Sequence, residues 1–145
     1  MEKKIVQVQE RTQQLIRQLL NVWESSVRAT HDFLSEEEII KIREYVPMAI
    51  ENVEYLIIAE KEFGEPVAFM GIDSNRLEML FLSPEVRGKG LGKQLLQYGI
   101  ETYNIQELTV NEQNPQAVGF YGIWDFRHIK ERSMMRKGIR IRFCI

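Results

Sequence analysis

The sequence has few of the residues that build disulfide scaffolds, metal sites or membrane anchors. Of its 145 residues one is cysteine and two are histidine, so Cys144 has no intrachain partner and a reducing compartment is expected. The histidines, His31 and His128, are neither flanked by cysteine nor spaced as a ligand pair, and we expect no metal site. No apolar run is long enough to cross a bilayer, and the first residues lack the apolar core of a signal peptide. We therefore predict a cytoplasmic protein without membrane contact.

An excess of charge of either sign is also missing. The chain carries 19 Lys and Arg against 21 Asp and Glu, a formal net charge of −2, and it has no long run of like charges. Because nucleic-acid affinity comes largely from clustered Lys and Arg, we expect no nucleic-acid partner. The length and the 44% hydrophobic content suit one globular domain over residues 1–145.

The first third of the chain predicts one strand and two helices. A short alternating segment predicts the strand over 4–9, and apolar residues at helical spacing predict a helix over 11–23. The polar segment 25–32 interrupts that spacing. A capping box over 35–38 opens the second helix, which we expect to end before Pro47.

The remainder predicts three antiparallel strands followed by a strand–helix–strand unit. The expected elements are strands over 55–60, 66–73 and 76–82, a helix to about 103, a strand over 107–111, a helix over about 115–124 and an extended segment over 126–131. We predict an α/β (α+β) fold with a mixed, mostly antiparallel, twisted sheet of six to seven strands. About four helices should cover both faces of this sheet.

The segment after the third of these strands carries the clearest chemical signal. Arg87 is followed by three alternating glycines over 88–92, and a helix begins at once. Backbone N–H groups, a helix N-terminus and the cations Arg87 and Lys93 should converge there, as suits a phosphate or pyrophosphate. Two nucleotide motifs fail on spacing, since Gln94 stands where Walker A needs Ser or Thr and the alternating glycines do not match the dinucleotide fingerprint. The alternative is that this segment is only a tight strand–helix connection that binds no ligand.

The pattern Arg87-x-x-Gly90-x-Gly92 resembles the acetyl-CoA loop of the GNAT acetyltransferases. The segment 110–121, a strand end followed by Asn and a helix with Ala and Phe-Tyr, is similar to the second half-site of that family, and the element order matches over the whole chain. The segment 23–34 resembles a narrower bacterial subgroup that includes peptidyl-lysine acetyltransferases. The resemblance implies a GNAT fold whose sheet is splayed at the cofactor site. It also implies direct transfer of an acetyl group from acetyl-CoA to a primary amine, of a small molecule or a protein lysine, in a ternary complex.

The resemblance also assigns residues to the acetyl donor. The loop would hold the CoA pyrophosphate, the strand end at Phe81 and Leu82 would bond the pantetheine arm, and Asn111 and Asn114 would bond its amides. Asn114 directly precedes Pro115 and equally suits a helix N-cap. The complete set of expected donor-binding residues is Phe81, Leu82, Arg87, Gly88, Lys89, Gly90, Leu91, Gly92, Lys93, Asn111, Asn114, Ala117, Phe120 and Tyr121.

Three residues are candidates for proton transfer. The resemblance makes Tyr121 the acid that protonates the leaving thiolate, and a phenol with a pKa of about 10 suits that role. The acceptor amine needs a base, and Glu78, expected to alternate along its strand with Leu80 and Leu82, is one candidate. His31 is the other, because histidine titrates near neutral pH. The structural alternatives are a packed Tyr121, an exposed Glu78 and a His31 that only links helices.

The acceptor site is less well marked than the donor site. Trp23, Phe33 and Tyr45 are candidates for its lining, although aromatic residues at helical spacing more often form core. No nucleophile for a covalent step is evident, since Cys144 lies in the tail. The chain is expected to bind acetyl-CoA and an amine as a monomer or a homodimer.

The C-terminal tail departs from the family pattern. Relatives end in a hairpin with a Gly-x-Pro-Tyr-Pro-like turn, which is missing here. One permitted set of codons for the tail, read two bases on, encodes an ending with Asn-Pro-Tyr-Pro, which suggests a frameshift. The alternative is a simple edge strand in which Ile139, Ile141, Phe143 and Ile145 alternate with other residues. An altered last strand keeps open a non-catalytic acyl-CoA-binding or regulatory module, and a structural domain with an empty loop is a third interpretation.

Overall fold

The computed structural model describes residues 4–31, 33–111, 113–122 and 140–144. Its strands and helices follow the predicted order, and the mixed α/β architecture is confirmed. The elements are β1 (Lys4–Val8), α1 (Gln13–Thr30), α2 (Glu36–Asn52), β2 (Tyr55–Glu60), β3 (Pro66–Asp73), β4 (Arg76–Leu82), α3 (Leu91–Tyr103), β5 (Glu107–Asn111), α4 (Pro115–Gly122) and β6 (Arg140–Cys144). The extended segment expected over 126–131, the end of the last helix near 124 and the histidine at 128 lie outside the described residues.

Helix α1 is longer than the sequence predicts. It continues through the polar segment to Thr30, so the expected interruption is wrong. Ser26 and Val27 lie three and four residues after Trp23, and they are only 1% and 2% exposed. They extend the buried face of the helix, and this burial outweighs the weak helix propensity of serine.

Helix α2 passes through Pro47, where the sequence predicts an end. A proline inside a helix removes one backbone hydrogen bond and costs about 3 kcal/mol. Val46 and Ile50 on either side of it are buried, which offsets that cost. Arg11 also donates hydrogen bonds from Nη1 to the carbonyl oxygens of Ile50 and Glu51, both at 2.9 Å, and so caps the C-terminus of the helix.

The six strands of the described residues form one sheet in the order β1-β2-β3-β4-β5-β6. The first four pair antiparallel, and the turn between β3 and β4 has positive φ angles of 50° at Ser74 and 66° at Asn75, as a tight hairpin turn requires. Strands β4 and β5 run parallel and pair only at Arg76 with Glu107 and at Leu77 with Leu108. Within the described chain the two strands have no ladder pairs beyond that point, so the sheet is splayed as expected.

A β-bulge interrupts β4 next to this splay. Met79 lies opposite Gly71, but the next pair joins Leu77 to Ile72, and Glu78 is therefore the extra residue of the bulge. Leu77 packs in the same core cluster as Leu80 and Leu82, while Met79 packs on the other face. The bulge thus brings Leu77 to the face of Leu80 and Leu82, and these two leucines alternate with Met79 and Phe81 as expected.

Helices cover both faces of the sheet. One core cluster joins α1 and α2 to the face that carries Leu56, Ile58 and Phe69. The other cluster joins α3 and partly buried side chains of α4 to the opposite face. No helix in the described part of the chain is both long and apolar enough to span a membrane.

Strand β6 pairs with β5 in parallel along its whole length, from Glu107–Arg140 to Asn111–Cys144. Ile141 is 4% exposed and belongs to the core. Glu107 lies between two arginines, with Oε1 at 2.9 Å from Nη2 of Arg76 and at 3.3 Å from Nε of Arg142. The tail therefore forms a strand with a buried residue, as the edge-strand interpretation expects, while the frameshift stays a hypothesis about the gene.

Candidate active site

A cavity of about 750 Å³ opens where β4 and β5 separate. It extends from the end of α1, along both strands, to the glycine loop and α4. The three proposed proton-transfer residues all lie in its wall. The lining residues are Ser26, Thr30, His31, Leu77, Glu78, Met79, Leu80, Phe81, Leu82, Arg87, Gly88, Gly90, Gly92, Lys93, Thr109, Val110, Asn114, Ala117, Phe120 and Tyr121.

The glycine loop has the geometry of an anion site. Gly88 and Gly90 have φ angles of 74° and 83°, a left-handed conformation that only glycine adopts without strain. Gly90 is the N-cap of α3 and provides no side-chain cap, so the first N–H groups of the helix remain available to a ligand. A Cβ atom at Gly88 or Gly90 would meet nothing within 4 Å. The cradle therefore has space for a pyrophosphate beside the positive end of the helix dipole.

Arg87 reaches inward from this loop to α1. Its Nη2 donates to Oγ of Ser26 at 2.7 Å, and its buried Nε has no hydrogen-bond partner among the described residues. Burial lowers the pKa of Arg87, but an arginine stays charged at neutral pH. An incompletely bonded guanidinium in the cavity wall fits an anionic guest, and Lys93 adds a second cation.

The wall beyond the loop is apolar. Gly92 lies opposite Phe120 and Leu82, so that a Cβ atom there would lie 3.6 Å from Cζ of Phe120 and 3.7 Å from Cδ2 of Leu82. Phe120 in turn contacts Tyr121 edge-on, with 5.0 Å between ring centroids. This narrow, apolar passage suits the uncharged pantetheine arm, for which the unpaired edge of β4 offers backbone groups.

Asn114 connects α4 to α1. Its Oδ1 accepts a hydrogen bond from the backbone N–H of Ala117 at 3.2 Å, which makes Asn114 the N-cap of α4. Its Nδ2 lies 3.3 Å from Nε2 of His31. Both side-chain atoms are therefore engaged within the protein, and the side chain is only 7% exposed.

His31 ends α1 and its ring lies in a hydrogen-bonded chain. Thr30 donates its hydroxyl proton to the carbonyl oxygen of Ser26 at 2.8 Å, and its Oγ1 lies 2.8 Å from Nδ1 of His31. Since the hydroxyl has only one proton to give, Oγ1 accepts from Nδ1–H. The Phe33 ring is tilted against the imidazole, with 5.2 Å between centroids.

Tyr121 lies on α4, seven residues or about two helical turns after Asn114. It is half-buried because its surface faces the cavity. Desolvation raises the pKa of its phenol above the ordinary value, so the phenol keeps its proton throughout the physiological pH range. The group can therefore donate a proton to a thiolate in the cavity.

Glu78 projects from the bulge at the other side of the cavity. Its side chain is 42% exposed, and Oε1 lies 4.0 Å from Nη1 of Arg76. The carboxylate is therefore largely hydrated and only loosely paired.

Several expected residues lie elsewhere. Trp23 and Leu91 are buried in the core clusters, Tyr45 is 68% exposed on α2, and Lys89 is exposed on the loop. The strand position of Asn111 is described, but its side chain is outside the described structure. Conversely, the sequence does not identify Ser26 and Thr30 as lining residues. Their spacing of four, with a histidine next to Thr30, is the signal that places them on one helix face.

The described residues contain no group of three His, Cys, Asp or Glu side chains placed to hold a metal ion.

Comparison with known proteins gives one consistent family. A model of the acetyltransferase (GNAT) domain matches residues 24–142. Peptidyl-lysine N-acetyltransferase YjaB of Salmonella typhimurium is 38% identical over 109 residues, which are 75% of this chain and 74% of that protein. Apo YjaB of Escherichia coli has a similar solution structure, with a TM-score of 0.74 and 34% identity over 84% of this chain and 80% of that chain. The Thermoplasma acidophilum PaiA N-acetyltransferase, crystallised with coenzyme A, shares the fold with a TM-score of 0.69 at 23% identity, over 92% and 94% of the two chains.

Proposed function

Since this chain belongs to the GNAT family and is an N-acetyltransferase, we propose that it acetylates lysine side chains of proteins in the cytoplasm, with acetyl-CoA as the donor. One observation carries the proposal: a single cavity at the splay brings the anion cradle, the Tyr121 phenol and two candidate bases together. The name of the Salmonella relative, at 38% identity over 75% of this chain, supports lysine as the acceptor.

The donor would be held by three parts of the cavity. The N–H groups at the start of α3, with Arg87 and Lys93, would bind the pyrophosphate. Backbone groups of the unpaired part of β4, around Phe81 and Leu82, would bind the pantetheine amides as an added strand. Phe120 would pack beside the thioester end. The thioester supplies the activated acetyl group.

The chain's residues would move two protons. A lysine arrives as an ammonium ion, and Glu78 or His31 takes one proton so that the nitrogen lone pair is free. As the nitrogen bonds to the acetyl carbon, the carbon–sulfur bond breaks and Tyr121 gives its proton to the sulfur. The second proton leaves the amide nitrogen and returns to the Tyr121 oxygen. The products are the acetylated amine and the free thiol of CoA, and the base releases the remaining proton to solvent.

The test is acetyl-CoA turnover against a panel that contains lysine peptides, free lysine, polyamines and aminoglycosides. We expect thiol release with lysine peptides and the mass increase of one acetyl group on the lysine Nε. Preference for a small amine would overturn the lysine assignment. Tight acetyl-CoA binding with no thiol release across the panel would instead favour the non-catalytic binding module.

A further inference from the structure

The hydrogen bonds around His31 fix which of its ring nitrogens carries the proton. The backbone N–H of Ala117 donates to Oδ1 of Asn114, so the other end of that amide must be the NH₂ group. This NH₂ group donates toward Nε2 of His31 at 3.3 Å. Nε2 therefore acts as an acceptor and carries a lone pair.

The contact of Nδ1, on the opposite side of the ring, independently indicates the same protonation state. Thr30 uses its only hydroxyl proton on the carbonyl oxygen of Ser26, and so it can only accept from Nδ1 of His31, at 2.8 Å. Donation at one nitrogen and acceptance at the other define a neutral imidazole with Nδ1–H. The positive end of the α4 dipole beside Nε2 also favours the neutral ring.

The hydrogen-bond donor beside Nε2, the NH₂ group of Asn114, is comparable to the ammonium group of a substrate. The Asn114 amide presents an N–H to the lone pair, as the ammonium group of a lysine would. Both His31 and Asn114 lie in the cavity wall, so an ammonium that enters there can take the place of that N–H and give its proton to Nε2. The ring would then be a cation that still donates from Nδ1 to Thr30.

We propose that His31 is the general base of this enzyme, and that Thr30 and Asn114 are positioning residues that keep it neutral with the lone pair on Nε2. The proposal rests on the acetyl transfer proposed above, and it assigns the base to His31 rather than to Glu78. The carboxylate of Glu78 is 42% exposed at the bulge, and within the described part of the chain its one charged neighbour is Arg76, at 4.0 Å. Among the described residues, the other charged or titratable side chains in the cavity wall are Arg87 of the loop, Lys93 of α3 and Tyr121 of α4.

The position of the proton on the His31 ring can be measured without any acceptor amine. The chain has only two histidines, so long-range ¹H–¹⁵N spectra of the labelled full chain give two ring patterns, and a His31→Gln variant identifies the pattern of His31. We expect a protonated Nδ1 and an unprotonated Nε2 near neutral pH. In Thr30→Val, which removes the acceptor at nearly constant shape, the ring should lose this single tautomer. A wild-type ring protonated on Nε2 would overturn the proposal.

The role in catalysis is tested with Asn114→Asp. Aspartate is an equally good N-cap, so α4 should remain, but a carboxylate now faces Nε2 and stabilises the imidazolium. The titration midpoint of His31 should rise by about one to three pH units, and the acidic limb of the kcat/KM profile should move with it. Gln106→Glu, which adds one negative charge at an exposed position outside the cavity wall, is the control and should leave the limb in place.

The outcomes separate this proposal from the function on which it rests. His31→Gln should lower kcat by about 10²–10⁴-fold while acetyl-CoA affinity is kept. If the midpoint of His31 moves in Asn114→Asp but the acidic limb stays, or if Glu78→Gln removes that limb, His31 is not the base. If the tautomer is as expected but no amine is acetylated, the proposed function fails and the base role fails with it.

Discussion

Gly92 of α3 and Phe120 of α4 face each other across the cavity, and a Cβ atom on Gly92 would lie 3.6 Å from Cζ of Phe120. This is an ordinary van der Waals distance, and Gly92 is not among the glycines with positive φ. Neither the contacts of the protein nor its backbone conformation therefore require glycine at this position. We infer that space for the ligand is what requires a glycine here.

We expect Gly92→Ala to separate stability from donor binding. Alanine should hold or raise stability, by up to about 1 kcal/mol, because it is the better helix former. Acetyl-CoA affinity should fall about tenfold or more, since the new methyl group would narrow the apolar passage between Leu82 and Phe120 that the pantetheine arm would occupy. Thermal unfolding and calorimetric titration measure the two effects. Gly119→Ala on α4, where a Cβ atom meets nothing within 4 Å, is the control; equal affinities in both variants would contradict this role of Gly92.

Tyr121→Phe should lower kcat by about 10²–10⁴-fold and leave acetyl-CoA affinity unchanged, because the ring is kept and only the hydroxyl group is lost. Burial raises the pKa of the phenol, so loss of its proton should not limit the wild-type rate below about pH 10. Turnover assays with a lysine peptide measure both effects. Tyr45→Phe on the exposed face of α2 serves as the control, and normal turnover in Tyr121→Phe would remove Tyr121 from the mechanism.

Arg11 should contribute to stability through the end of α2. Arg11→Met keeps most of the apolar stem but loses the donors to Ile50 and Glu51. We expect a loss of about 1 kcal/mol, since these carbonyl groups are partly hydrated when uncapped. Urea unfolding measures it, with Arg17→Met on the exposed face of α1 as the control. Equal losses in the two variants would mean that the cap contributes nothing.

The protein should lose stability in acid through the contact between α1 and α2. Hydrogen bonds from Arg28 and then Arg43 lower the pKa of Glu24 below its ordinary value. The unfolded chain, in which a Glu titrates at about 4.3, therefore binds this proton more readily than the folded chain. The stabilisation is complete above that value and is lost as the pH falls through the lower folded pKa.

Glu24→Gln should flatten this part of the acid dependence. Urea unfolding between about pH 6 and pH 3 measures the slope, and Glu37→Gln on the exposed side of α2 is the control. A slope that falls as much in Glu37→Gln as in Glu24→Gln would rule out the specific role of Glu24.

The tail strand should be part of the fold. Ile141 is 4% exposed against the core, and Ile141→Ala should cost about 2–4 kcal/mol. Arg140→Ala, at an exposed position of the same strand, should have little effect. Thermal unfolding of the two variants measures these losses of stability. Equal, small losses in Ile141→Ala and Arg140→Ala would mean that the tail does not pack on β5. Reading the codons of the gene tests the frameshift separately.

The sequence predicts those features that short-range patterns determine. Strands β2 to β5 end where turn residues such as Ser74-Asn75 stand, and the glycine loop marks the start of α3. The failures have tertiary causes. The burial of Ser26 and Ile50 carries α1 and α2 through residues that favour an end, and the bulge at Glu78 depends on pairing with β3.

The candidate site likewise combines features that short-range patterns predict with features that depend on tertiary contacts. The loop motif and Tyr121 are local patterns, and the cavity contains both. The contact of Arg87 with Ser26 spans 61 residues and that of Asn114 with His31 spans 83. No local period carries such information, so the hydrogen-bonded chain around His31 becomes visible only once α1 and α4 are placed together.

The splay gives this protein a sheet edge that faces inward. Exposed strand edges tend to recruit other chains and so promote aggregation. Here the unpaired side of β4 lines a cavity between helices and a neighbouring strand and is not an outer edge of the sheet. An extended small molecule such as a pantetheine arm can reach the same backbone groups. In the proposed function, strand-like binding of the ligand would therefore take place away from the outer edges of the sheet, β1 and β6.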